Sequence, residues 1–109
     1  PLMSFGVMGG PMQAQGHLQM IHRMVMHGQD PQTAIDAPRW RVMDGVRLAC
    51  ETTLPSTTLS HLSDLGHAIE LEAPDTAFGF GGAQAIWRLD DGGYIAGSDP
   101  RKDGCAVGF

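Results

Sequence analysis

Glycine constrains this chain more than any other residue. It supplies 15 of the 109 residues, about twice its usual share of roughly 7%. Glycine reaches backbone conformations closed to other residues and weakens the interiors of helices and strands. Such a chain divides into short elements joined by tight turns, and one bundle of long helices is excluded. The length suits a single domain, 1–109.

The most informative glycines lie in GVMGGPMQAQGH, residues 6–17. LMSFGVM (2–8) is apolar and reads as a buried strand ending at Gly9-Gly10. From Met12 to His27 the spacing predicts a helix whose inner face carries Leu18, Ile21, Met24 and Val25, with Met20 and Met26 widening it and Gly28 as its stop. Asp30-Pro31 opens a short second helix, capped by Asp30 and ended by Pro38. Arg39–Met43 and Val46–Cys50 flank Asp44-Gly45, which predicts a two-residue hairpin. Ser56 or Thr57 then caps a helix to about Leu65, stopped by Gly66, and HAIELE (67–72) alternates as a half-buried strand. Residues 74–82 form a loop, and 83–89 and 94–98 pair around Asp90–Gly93. The layout is α+β, without the regular alternation of a doubly wound parallel sheet.

The formal charge of −5 argues against a nucleic-acid partner, which calls for a basic patch. No apolar stretch reaches the 18 or so residues of a membrane span. Cys50 and Cys105 make no zinc or C-x-x-C pattern. Their spacing leaves a disulfide open but favours two free thiols, so the compartment stays undecided. His17, His22 and His27 recur every five residues. At about 100° per residue, successive members point roughly 140° apart, so no metal is expected. GFGGAQ (79–84) lacks the Lys-Ser or Lys-Thr of a phosphate loop and reads better as a hinge or close-packed bend. Pro1 raises the idea of a prolyl-amine base, but an apolar run follows it. The abrupt start, PLMSF, suggests a piece of a longer chain.

Gly9-Gly10 is the candidate catalytic feature. Backbone N–H groups freed at such a turn, with a helix beginning just after, suit a developing oxyanion. A plain strand-to-helix bend is the alternative.

Three stretches carry a family resemblance. GVMGGPMQAQGHLQMIHRMVMHGQDPQTAIDAPRW resembles the segment of gamma-glutamyltranspeptidases in which a strand, a Gly-Gly turn and a long helix precede a D-P-x-x-A-x-x-A-P-R-W run. Gly81-Gly82-Ala83-Gln84, Ser98-Asp99-Pro100-Arg101 and Gly108-Phe109 are similar to the family's C-terminus. The resemblance implies part of the four-layer αββα sandwich of N-terminal nucleophile hydrolases, with mixed helices and mainly antiparallel strands. It implies a precursor that cuts itself into two subunits, and a small subunit opened by a nucleophilic threonine in a Thr-Thr-His type motif. That threonine takes a gamma-glutamyl group from an amide and passes it to water or an amino acid. No cofactor is implied.

Here Thr52-Thr53 is followed by Leu54 and Thr57-Thr58 by Leu59, both well after the Gly-Gly turn. The family's threonine precedes that turn, as does its Ser-Ser motif for the substrate carboxylate. The chain is therefore expected to be the C-terminal portion of a small subunit. Its partners would be the large subunit and the N-terminal part of the small one. Only Gly9 and Gly10 carry over as site residues, reading Met8-Gly9-Gly10-Pro11 where many members read Pro-Gly-Gly-Ser. Alone the chain should be inactive and should self-associate through an uncovered sheet face. A cephalosporin-acylase-like parent and a non-catalytic module of the same half-fold are the alternatives.

Overall fold

The computed structural model describes residues 1–76 and 79–108. In chain order the elements are β1 (Met3–Met8), a 3-10 turn (Gly10–Met12), α1 (Gln13–Ile21), a π-helical turn (His22–Met26), α2 (Pro31–Asp36), β2 (Trp40–Val42), β3 (Arg47–Glu51), α3 (Ser56–Asp64), β4 (Ala68–Glu72), β5 (Gly82–Arg88) and β6 (Tyr94–Ser98). They build two three-stranded sheets, ordered β1-β5-β6 and β2-β3-β4. Three of the four strand pairings are antiparallel; β3 and β4, joined through α3, are parallel. Phe109, and the part of the 74–82 loop at 77–78, lie outside the described residues.

The core lies between the first sheet and the first two helices, and gathers Val7, Met20, Met24, Ala34, Ile35, Ala83 and Ala85. The buried side of α1 differs from the expected one. Met12, Gly16, Met20 and Met24 are buried, whereas Leu18 and Val25 are 62% and 58% exposed. Met26 points outward as well. The cause is Gly16. A β-carbon there would lie 2.7 Å from Val7 Cγ1, so the helix rests on β1 through its smallest residue. A count of apolar side chains cannot see an approach made by the absence of one.

Two turns also differ from expectation. The hairpin loop holds three residues, 44–46, because Trp40 pairs with Cys50 and Val42 with Leu48, and Met43 N–H donates to Arg47 O at 3.0 Å. Arg47 N–H donates to the Asp44 carbonyl at 2.8 Å, and the Arg47 guanidinium meets the Asp44 carboxylate at 3.1 Å. This pair closes the turn over residues 44–47 and shifts the register by one. Neither Ser56 nor Thr57 caps α3, which starts directly after Pro55 with no side-chain cap. Asp30 does cap α2, accepting the Thr33 N–H at 3.0 Å.

Three glutamines complete the open edges of the sheets. The Gln15 amide accepts from Val42 N at 2.7 Å and donates to Val42 O at 3.2 Å. Gln19, four residues on, brackets Trp40 in the same way at 3.3 and 2.7 Å. Gln32 brackets Ser98 at 3.0 Å each way. Each side-chain amide stands where a neighbouring strand's peptide group would.

Candidate functional site

The Ala37-Pro38-Arg39-Trp40 and Ser98-Asp99-Pro100-Arg101 runs meet in a buried network of four charges. Arg39 Nη2 bonds Asp99 Oδ2 at 2.7 Å, with both side chains at or below 1% exposure. Arg101 bonds Glu51 at 2.5 and 2.7 Å and Asp99 Oδ1 at 3.1 Å. Backbone groups satisfy the remaining valences: Arg39 donates to Phe80 O and Ile35 O, and Arg101 donates to Ile35 O and Ala37 O. Burial alone would push the Asp99 carboxyl up, but the Ala83 and Arg101 amides and the Arg39 guanidinium outweigh it and hold it below the usual carboxylate range. Burial and the nearby Arg101 charge pull Arg39 down. Burial acts on Arg101 in the same sense, but Glu51 and Asp99 win and raise it. With two arginines and two carboxylates the cluster is formally neutral, which makes its burial tolerable.

The network reaches the Gly-Gly turn through the start of β5. Asp99 Oδ2 also accepts the Ala83 N–H at 2.7 Å, fixing the start of β5. Gly81, just before it, is so tight (φ 72°) that a β-carbon would stand 2.1 Å from Met8 O. GFGGAQ is thus a close-packed bend. Gly81 in turn backs Gly9, where a β-carbon would meet Gly81 Cα at 3.0 Å. The contacts run from Arg39 through Asp99, Ala83 and Gly81 to Gly9.

Gly9 (φ 142°) and Gly10 (φ 60°) both lie in the region that favours glycine. Gly9 is buried and Gly10 is exposed, with nothing within 4 Å of where its β-carbon would stand. Pro11 follows without an N–H, so the amides of Gly9 and Gly10 precede the first turn of the helix. An open cavity of about 430 Å³ runs beside this junction, lined in part by Met8, Gln13, His17 and Gln84.

His17 is set into that wall. Its Nδ1 faces Gln13 O at 2.6 Å and its Nε2 accepts Val7 N–H from the open edge of β1 at 3.4 Å. With Nε2 accepting from Val7, Nδ1 is the nitrogen that donates to Gln13 O. By its spacing, His17 stands out in the sequence only as a possible metal ligand. Its link to β1, ten residues away, had no local signal.

The histidine geometry needs a correction. His22 and His27 are in contact, with ring centroids 4.7 Å apart and edge to face. The expected 140° divergence holds for an α-helix, but the chain is π-helical here, with His27 N–H bonding His22 O at 3.3 Å. The wider turn brings positions five apart onto one side. Among the described residues no three His, Cys, Asp or Glu side chains gather as a metal-binding group. Cys50 is buried and Cys105 exposed, and neither is in a disulfide.

Comparison with known proteins agrees with the geometry. The sequence profile of the gamma-glutamyltranspeptidase family matches residues 1–109. A glutathione hydrolase-like proenzyme of Bacillus subtilis is 35% identical over the whole chain, which covers 22% of that protein. An oxamate amidohydrolase proenzyme of Klebsiella pneumoniae is 31% identical over 99% of the chain, covering 21% of its length. A cephalosporin acylase from Bacillus halodurans superposes with a TM-score of 0.83 and 42% identity, over 91% of this chain and 18% of that one. The chain thus spans about a fifth of the length of the curated relatives it matches. Its two mostly antiparallel sheets and packed helices follow the fold of the N-terminal nucleophile hydrolases. By sequence profile, by relatives and by fold, the chain belongs to the gamma-glutamyltranspeptidase family.

Proposed function

We propose that this chain is the C-terminal part of the small subunit of an enzyme that acts on gamma-glutamyl amides, and that Gly9-Gly10 is its oxyanion turn. One observation carries the reading. Two adjacent glycines in glycine-favoured conformations stand at a strand-to-helix junction, one buried against Gly81 and the other open to solvent. The nucleophile is a threonine on a preceding segment. Its Oγ attacks the amide carbon and its own amine takes the proton. The carbonyl oxygen becomes an anion held by turn N–H groups. The leaving amine takes the proton back, and the acyl-enzyme passes to water or an amino acid. A large subunit and the earlier part of the small one complete the site.

The test is made on the intact enzyme. Gly10→Ala keeps its N–H but disfavours the φ of 60° that aims it, and the shifted donor should lower kcat on a gamma-glutamyl anilide by up to about 10²-fold with little change in KM. Gly45→Ala is the control. Gly45 has a φ of 50° and equally open surroundings, so it meets the same backbone strain away from the site. Equal kcat for the Gly10 variant and wild type would end the reading. The 109-residue chain alone should hydrolyse no substrate. The exposed side chains of Met8, Ile86 and Tyr94 should make it self-associate, and a clean monomer by light scattering at high concentration would contradict that.

The cephalosporin acylase at 42% identity favours a second reading, an amidase with another acyl donor. A cephalosporin side-chain amide turned over faster than the gamma-glutamyl anilide would select it.

A further inference from the structure

His17 closes a ring of hydrogen bonds around the Gly-Gly turn. Its Nε2 accepts the Val7 N–H at 3.4 Å, and its Nδ1 donates to Gln13 O at 2.6 Å. Val7 stands two residues before Gly9, and Gln13 three residues after Gly10. Gln13 N–H in turn donates to Gly10 O, and Met12 N–H to Gly9 O at 3.3 Å. One imidazole therefore grips both flanks of the turn and spends both nitrogens in doing so.

Packing alone does not supply that grip. Gly16 sets the spacing of α1 from β1 by its close approach to Val7, and the His17 ring lies against Phe5 with centroids 5.4 Å apart. Such contacts resist compression but carry little direction. A hydrogen bond weakens steeply as its angle closes, so the two His17 bonds limit how far α1 slides or turns along β1. The turn needs this restraint, because glycine visits many backbone conformations. Gly81 backs Gly9, whereas nothing stands within 4 Å of a β-carbon at Gly10. The conformation of Gly10 is imposed from its flanks, and His17 joins them.

We propose that His17 is a positioning residue for acyl transfer. It holds the end of β1 and the start of α1 in the relation that aims the Gly9 and Gly10 N–H groups at the developing oxyanion. The proposal rests on the oxyanion reading of the turn, and His17 acts through that turn. The charge on the carbonyl oxygen is largest in the transition state, so a loosened turn costs kcat more than KM.

The test is made on the intact enzyme, with active sites counted by covalent labelling of the nucleophile. His17→Phe keeps a ring against Phe5 and removes both bonds. Its kcat per active site on a gamma-glutamyl anilide should fall about 10–100-fold, with KM within about twofold of wild type. His17→Gln keeps an acceptor near the reach of Nε2, and His17→Asn a donor near the reach of Nδ1; each should recover part of that loss. Amide hydrogen exchange in the peptide from Val7 to Gly10 should quicken about tenfold in His17→Phe. A merely structural role would lower the yield of folded enzyme and leave kcat per active site unchanged. If His17→Phe does not fold, the Gln and Asn variants decide, each with a lowered kcat at unchanged KM. The proposal is overturned if kcat per active site is unchanged in every variant that folds, or if exchange at Val7 is no faster. Gly10→Ala separates the two readings: a lowered kcat there beside an unaffected His17→Phe overturns the role of His17 alone, and an unaffected Gly10→Ala overturns the oxyanion turn and this proposal with it.

Discussion

Arg39 and Asp99 stand 60 positions apart in sequence and 2.7 Å apart in space. Their contact, sealed from water, joins the Ala37-Pro38-Arg39-Trp40 and Ser98-Asp99-Pro100-Arg101 motifs. Removing one partner leaves the other charged and buried, a loss of about 3–5 kcal/mol. Asp99→Ala and Arg39→Met are each expected to destabilise by that amount in urea unfolding of the intact protein. The double variant Arg39→Met/Asp99→Leu should cost clearly less than the sum. Additive losses would show that the pair is not coupled.

The same carboxylate sets an acid limit. The Asp99 pKa is lowered in the folded state. Its contribution is therefore complete above the unfolded carboxylate value, near 3.9, and is lost as pH falls through the folded value. Stability should fall below about pH 4. Asp99→Asn, weaker at neutral pH, should lose less on acidification; identical pH slopes would contradict this assignment.

Gln19→Glu tests the strand-like role of the glutamines. An ionised carboxylate at this buried position accepts from Trp40 N but cannot donate to Trp40 O, an expected cost of about 1–3 kcal/mol. Burial raises a carboxyl pKa, and the protonated acid regains a donor. The defect should thus be largest at neutral pH and shrink as pH falls. A pH-independent loss would point to packing instead.

Gly16→Ala adds a methyl group where Val7 Cγ1 leaves 2.7 Å. Overpacking of this kind costs about 1–3 kcal/mol, against a helix-propensity gain of up to about 1 kcal/mol. Net destabilisation is expected, and Val7→Ala in the same chain should recover part of it. A stabilised Gly16→Ala protein would mean that α1 does not touch β1 at that point.

The sequence made the order of elements legible, because Gly and Pro mark where each one ends. Asp30-Pro31 gave the start of α2 correctly, since cap and proline both act within one turn. It misplaced the buried side of α1, where Gly16 contributes by having no side chain. The hairpin register follows a turn over residues 44–47, closed by the Arg47 N–H on Asp44 O, which competes with the two-residue turn. At the candidate site, the unusual backbone at Gly9-Gly10 was readable from composition. The backing by Gly81, the tether from Asp99 to Ala83 and the anchoring of His17 to Val7 all join residues far apart in sequence, and a single sequence records no such pairing.

The π-helical turn at His22–Met26 has a consequence for ancestry. Such a turn is an α-helix holding one residue more than its hydrogen bonds require. Deleting one residue within it would restore regular winding while leaving Met20 seated in the core and Asp30 at its cap. Length variation among descendants of a common ancestor is therefore expected to concentrate here, as single-residue gaps, and to avoid the Gly9-Gly10 junction, where Gly81 backs Gly9.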